Sequence, residues 1–211
     1  MVSFTLTDIS IETGSATILR MDSPDHTNRL TRACVLEWTA LIRRLSQSPR
    51  PLVITGNQHF FSAGADLNEI AALTGAAAYR FAQTGQELMN AIAAFAAPVY
   101  AAVLGHCMGG GFDLALACHH RIAAPHAVFG HRGAALGLMT GWGGTQRLPR
   151  LIGKGRALEL FVAAEKVNAT HALRMGIIDA IADDPVAEAV RRISARPAET
   201  GSCWDTEKLD S

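Results

Sequence analysis

One stretch limits the fold more than any other: Pro98-Val-Tyr-Ala-Ala-Val-Leu-Gly-His-Cys-Met-Gly-Gly-Gly-Phe-Asp-Leu-Ala-Leu-Ala117. Pro98 to Leu104 is an apolar run with the β-formers Val99, Tyr100 and Val103, which predicts a buried strand. Gly105 to Gly111 predicts a loop able to take backbone angles closed to other residues. Phe112 to Ala117 is rich in Leu and Ala and predicts the first turns of a buried helix. A strand, a glycine turn and a helix in that order point free backbone N–H groups at an anion. The first N–H groups of a helix lack internal partners, and the helix dipole favours negative charge there. Asp113 falls in that first turn. Two roles are open to it on this stretch alone: a functional group beside an anion site, or a simple helix cap.

The flanking chain repeats the β-then-α alternation. Phe4 to Ile9 and Ala16 to Met21 predict a hairpin around Gly14. Thr31 caps a predicted helix to Ser46, with Cys34, Trp38, Leu41 and Leu45 on one face. Leu52-Val-Ile-Thr55 is a short apolar strand of the kind covered on both faces in parallel sheets. A second elbow of small residues follows, Phe61-Ser-Ala-Gly-Ala-Asp-Leu67, with Gly64 at a tight turn and Asp66 opening a short helix to Leu73. Tyr79 to Phe95 predicts a helix with Phe81, Leu88, Ile92 and Phe95 inward. His120 to Ala124 and Ala127 to Phe129 predict short strands. Gly130 to Gly144 holds six glycines with His131, Arg132 and Trp142, and reads as a wall or lid of a site. Helices are expected over Thr145–Leu151, Gly155–Ala164, from Asn168 to Gly176 and over Pro185–Ala195, with a last strand at Ile177–Ala182. The alternation predicts an α/β fold with parallel sheet, in which ligands bind beyond the C-terminal ends of strands. Both elbows follow strands and can face one pocket.

Composition excludes several alternatives. The 211 residues are 49% hydrophobic and 18% charged, enough for one globular core, expected over 1–196 with a polar tail at 197–211. Net charge is +0 and no basic run occurs, which argues against a nucleic-acid partner. The N-terminus lacks a signal-peptide pattern, and no apolar run suits a membrane span, so a cytoplasmic protein without a membrane partner is expected. Cys34, Cys107, Cys118 and Cys203 are scattered, which predicts reduced thiols and no metal site. Cys118, His119 and His120 are adjacent, but neighbours on a strand point to opposite faces.

With both elbows in view, the chain resembles the enoyl-CoA hydratase/isomerase (crotonase) superfamily. The resemblance rests on Phe61-Ser-Ala-Gly-Ala-Asp-Leu67, the Pro98 to Ala115 stretch, Phe129-Gly130, Gly143-Gly-Thr-Gln-Arg-Leu148 and Ala172-Leu-Arg-Met-Gly-Ile-Ile-Asp179, in the family's order and spacing from about Ser15 to Ile181. It implies a crotonase-like spiral of ββα units and an acyl-CoA substrate, with coenzyme A part of the substrate and no separate cofactor. It further implies a lyase or isomerase of fatty acid metabolism, assembled as a homo-oligomer (trimer or hexamer). Carried over, the oxyanion-hole donors are the N–H groups of Ala65 and Gly110. The implied substrate-binding set is Ala63, Gly64, Asp66, Leu67, Gly109, Gly133 and Trp142. Backbone donors suit an enolate, since preorganised N–H groups stabilise the developing oxyanion.

The chain departs from the family's hydratase pattern in three places. The first of two expected glutamates is Asp113, whose carboxylate sits one methylene, about 1.5 Å, closer to the backbone. The second expected glutamate is Gly133, which has no side chain. His131 and His106 are the candidate replacement bases, and His131 is taken with Asp113 as the catalytic pair. Third, the chain stops at Ser211, short of the family's usual C-terminal helices, so the oligomer is expected to be weakened. An enoyl-CoA hydratase or isomerase is the leading expectation. A non-catalytic acyl-CoA binder, or a crotonase hydrolase or decarboxylase, is the alternative.

Overall fold

The computed structural model describes residues 3–11 and 14–195. β1 (Ser3–Ile11) and β2 (Gly14–Asp22) pair antiparallel over their whole length, beyond the predicted limits at both ends. After β3 (Arg29–Leu30), the Thr31 hydroxyl accepts from Cys34 N and starts α1 (Arg32–Leu45), whose buried face carries Cys34, Val35, Trp38, Leu41 and Ile42. The chain then repeats one unit. A strand of the main sheet is followed by a strand of a second sheet, and then by a helix. First come β4 (Leu52–Thr55), β5 (Phe60–Ser62) and β6 (Gly64–Ala65), with α2 (Leu67–Ala71) and α3 (Gly75–Ala93). Next are β7 (Val99–Val103), β8 (His106–Met108) and α4 (Gly110–Ala117). The third unit is β9 (His120–Ala123), β10 (Val128–Gly130), a 3-10 turn at Ala134–Leu136 and α5 (Gly144–Ile152). α6 (Lys154–Ala163), β11 (Val167–Asn168), α7 (Ala169–Met175), β12 (Ala180–Ile181) and α8 (Pro185–Ala195) complete the described chain.

The main sheet runs β1-β2-β4-β7-β9-β12, parallel from β2 onward, and the second runs β11-β10-β8-β5. This is an α/β spiral of ββα units. The apolar strands β4 and β7 are covered on both faces, as their composition predicts. Leu52, Ile54, Val99, Ala101 and Val103 join the large core with α1, α3 and α4. Val53, Tyr100 and Ala102 point the other way, onto Ala189 and Ile193 of α8.

Three predicted boundaries need correction. The glycine loop from Gly105 to Gly111 contains β8, because His106–Met108 lies parallel to β10 and β5, and Gly109 N donates to Gly130 O at 2.9 Å. Three residues between glycines are too few to show a strand period. The helix expected from Tyr79 starts at Gly75, since Ala76, Ala77 and Ala78 are good helix formers without an apolar stripe. The last strand shrinks from Ile177–Ala182 to Ala180–Ile181, and Ile177 is drawn instead into the Gly176 turn that closes α7. The predicted tail at 197–211 lies outside the described residues.

Candidate active site

The two elbows meet. Gly64 adopts φ +94°, open to glycine, and a Cβ there would stand 2.9 Å from Gly110 N and 2.7 Å from Met108 O. A Cβ on Gly110 would in turn stand 3.3 Å from Ala65 N. The backbones of the two elbows thus touch through glycine, and the nitrogens of Ala65 and Gly110 border one small space. Gly110 opens α4, so its N–H is among those without an intrahelical acceptor. Ser62 fixes the first elbow: its buried hydroxyl donates to Asn28 O at 2.7 Å and accepts from Gly64 N at 3.0 Å. Ala63 N donates to Thr27 O at 2.9 Å.

Asp113 is not a helix cap. It is 1% exposed, one turn into α4, and its Oδ2 accepts from the Thr140 hydroxyl. Its Oδ1 stands 3.1 Å from His131 Nε2, so the two candidate catalytic side chains are brought together. The contact is out of line for a hydrogen bond. Oδ1 and Nε2 are both buried without a hydrogen-bond partner among the described residues. His131 follows β10 and is held by aromatic packing, 5.1 Å from Phe112 and 5.2 Å from Phe161 between ring centroids. Gly144 closes the far side, because a Cβ there would overlap Asp113 Oδ1 and approach His131 Nε2 to 2.9 Å. A buried cation completes the surroundings. Arg147 donates to Trp142 O at 3.1 Å and Asn90 Oδ1 at 2.8 Å. Burial pulls its guanidinium below the usual range, and the Asp113 charge opposes that.

The other predicted residues have varied surroundings. Asp66 accepts from Asn68 N and Glu69 N as the N-cap of α2. Leu67 is 53% exposed, and Gly109 precedes α4 in a positive-φ turn. A Cβ on Gly133 would stand 2.7 Å from Leu138 O, so the segment folds back where the second glutamate was expected. Trp142 is buried between α3 and α4, on Phe81. His106 packs against Phe60 in the second sheet with the rings tilted by 44°, and burial lowers its pKa, with the Lys166 charge adding to the effect. Arg132 is exposed. The three buried cysteines are free thiols; burial raises Cys34 and Cys118 to about 12 and Cys107 well above its usual value. His119 serves the sheet, its Nδ1 accepting from Val99 N at 2.9 Å. Sequence reasoning missed Thr140, Gly144 and Arg147. Gly144 and Arg147 lie in the Gly143–Leu148 motif of the resemblance, whereas the signal for Thr140 was its position in the glycine-rich segment 130–144.

A spiral of ββα units in which two glycine elbows meet at the start of a helix that carries a buried carboxylate defines a class of α/β protein. The comparisons narrow that class. Residues 12–202 match the family described as Enoyl-CoA hydratase/isomerase, and the chain belongs to that family. It is 42% identical over 153 residues to a probable enoyl-CoA hydratase of Bacillus subtilis (strain 168), covering 71% of this chain and 59% of that protein. It is 37% identical over 183 residues to the crotonyl-CoA hydratase of Syntrophomonas wolfei subsp. wolfei, covering 85% and 70% respectively. The chain therefore spans about three fifths to seven tenths of these relatives. A solved structure of a putative enoyl-CoA hydratase from Thermobifida fusca YX, in complex with CoA, superposes with a TM-score of 0.81 at 30% identity, over 92% of this chain and 79% of that one. Among the described residues no helix is long and apolar enough to cross a membrane.

Proposed function

We propose that the protein acts on an acyl-CoA thioester through an enolate, as an enoyl-CoA isomerase or hydratase. One observation carries the reading: the N–H groups of Ala65 and Gly110 border one space, with the Asp113–His131 pair one helical turn behind it. A thioester oxygen between the two nitrogens gains charge as a proton leaves the adjacent carbon, and each such donor is worth about 3 kcal/mol to the barrier. The substrate is a CoA thioester because the relatives are named for enoyl-CoA and crotonyl-CoA, and one related structure holds CoA. The family resemblance adds a homo-oligomer.

Gly133 favours isomerisation over hydration. Glycine has no side chain, so no second carboxylate faces Asp113 from that position, and a Cβ there would stand 2.7 Å from Leu138 O. One carboxylate suffices for a proton shuttle. Asp113 takes a proton from C2 of a 3-enoyl thioester, the electron pair passes into a dienolate held at the oxyanion donors, and the same proton returns at C4 to give the 2-enoyl thioester. His131 Nε2 lies 3.1 Å from Oδ1, within electrostatic reach of the Asp113 carboxylate. Hydration needs a second group to activate water, and His131 is the imidazole that stands against Asp113. Incubation with 3-hexenoyl-CoA and with crotonyl-CoA decides. Conversion of the first to its conjugated isomer supports the shuttle. Conversion of crotonyl-CoA to the 3-hydroxy thioester makes the protein a hydratase. Failure of both, with calorimetric binding of acyl-CoA, turns the protein into a non-catalytic binder.

A further inference from the structure

Trp142 is 3% exposed although it follows a run of exposed residues, and its slot is set by two glycines. On the α3 side, a Cβ on Gly85 would overlap the five-membered ring. On the α4 side, a Cβ on Gly110 would stand 2.5 Å from Cζ3 and 2.6 Å from Cε3. Nε1 donates to Phe81 O at 3.3 Å, and the Phe81 ring lies 5.3 Å away. These contacts fix the indole with its pyrrole edge against α3 and its benzo edge toward α4. The point beside Gly110 that touches the benzo edge also lies 3.3 Å from Ala65 N. The flank of Gly110 that faces Ala65 N therefore also faces the indole. The ring is backed by Phe81 and α3.

We propose that Trp142 is the specificity-determining wall of the acyl site and restricts the substrate to a short acyl group, with Gly85 making room for the ring. The inference rests on the acyl-CoA reading above. A buried methylene is worth roughly fourfold in affinity where there is space for it, and the indole removes that space.

Calorimetry with free CoA, butanoyl-CoA and octanoyl-CoA tests this without requiring turnover. The wild-type protein is expected to bind butanoyl-CoA more tightly than octanoyl-CoA. Trp142→Ala, checked for folding by thermal melting, is expected to shift that ratio toward octanoyl-CoA by about tenfold or more. Trp142→Leu gives a smaller shift in the same direction and serves if the alanine variant unfolds. The proposal is overturned by a wild-type preference for octanoyl-CoA, or by a folded variant whose ratio stays within about twofold of wild type. If the wild-type protein binds neither thioester better than free CoA, the acyl reading falls and the wall with it. If it binds butanoyl-CoA selectively but turns over no enoyl-CoA, only the chemistry falls.

Discussion

Gly110 and Asp113 lie one turn apart at the start of the same helix and live in opposite surroundings. Gly110, with Ala63, Ala65 and Gly109, is half-buried, and what it offers is backbone. Asp113, with His131, is almost wholly buried, and what it offers is side-chain atoms held by Thr140, Gly144 and aromatic rings. The contrast has a physical cause. A backbone N–H is positioned by the path of the chain, so two short elbows and two glycines suffice. A carboxylate on a flexible side chain must be held by partners, and the partners come from residues 131–144, folded back over α4. The backbone half of the site is thus built by two short elbows that meet through glycine, and the side-chain half by residues 131–144 folding back over α4.

Removing the carboxylate is the largest test of that division. Asp113→Ala should lower kcat/KM for 3-enoyl-CoA by roughly 10²–10⁴-fold, the range for a lost general acid/base. Calorimetric affinity for acyl-CoA should change little, because the donors are untouched. A parallel fall in affinity would show that the two halves act as one. Gly110→Ala attacks the other half. Its Cβ would crowd the Trp142 indole and sit 3.3 Å from Ala65 N, in the space proposed for the oxyanion. A loss of about 10²–10³ in kcat is expected, as for a missing oxyanion donor, together with weaker binding of acyl-CoA. Full activity in this variant would remove Gly110 from the donor pair.

The same division explains what the sequence reveals. The elbows are legible because small residues follow apolar strands: Gly64 and the triple glycine at Gly109 announce a close backbone approach by residue type alone. The strand, helix and cap positions of Thr31, Asp66 and Asn168 are legible for the same reason, since each is settled within a few residues. The second sheet is less so, because β5, β8 and β10 have three residues each and draw their stability from one another. Thr140 is not legible at all. A threonine in a glycine-rich loop has no pattern that identifies its partner, and that partner lies far back in the chain. Asp113 is ambiguous until Thr140 and His131 arrive, which is why helix cap and functional group stay open on the local stretch.

Two smaller changes sharpen the acid/base half. His131→Phe keeps an aromatic ring between Phe112 and Phe161 and deletes the nitrogen 3.1 Å from Asp113 Oδ1. If the ring only packs, the melting temperature and kcat both hold. If Nε2 supports the charge on Asp113, the fold holds while kcat falls about 10–100-fold, below the general acid/base range for Asp113 itself.

Thr140→Val is the finest cut, because valine keeps the shape and removes only the hydroxyl that Asp113 Oδ2 accepts from. A buried acceptor left without its donor costs about 1–3 kcal/mol, so denaturant unfolding should show a loss of that size. Free to rotate, the carboxylate no longer keeps Oδ1 directed at one point, and kcat should fall about tenfold with KM for acyl-CoA nearly unchanged. Thr140→Ser restores the hydroxyl without the methyl group, and it should recover most of the kcat while recovering less of the stability. A hydroxyl that mattered only for packing would produce the reverse pattern: valine near wild type and serine impaired.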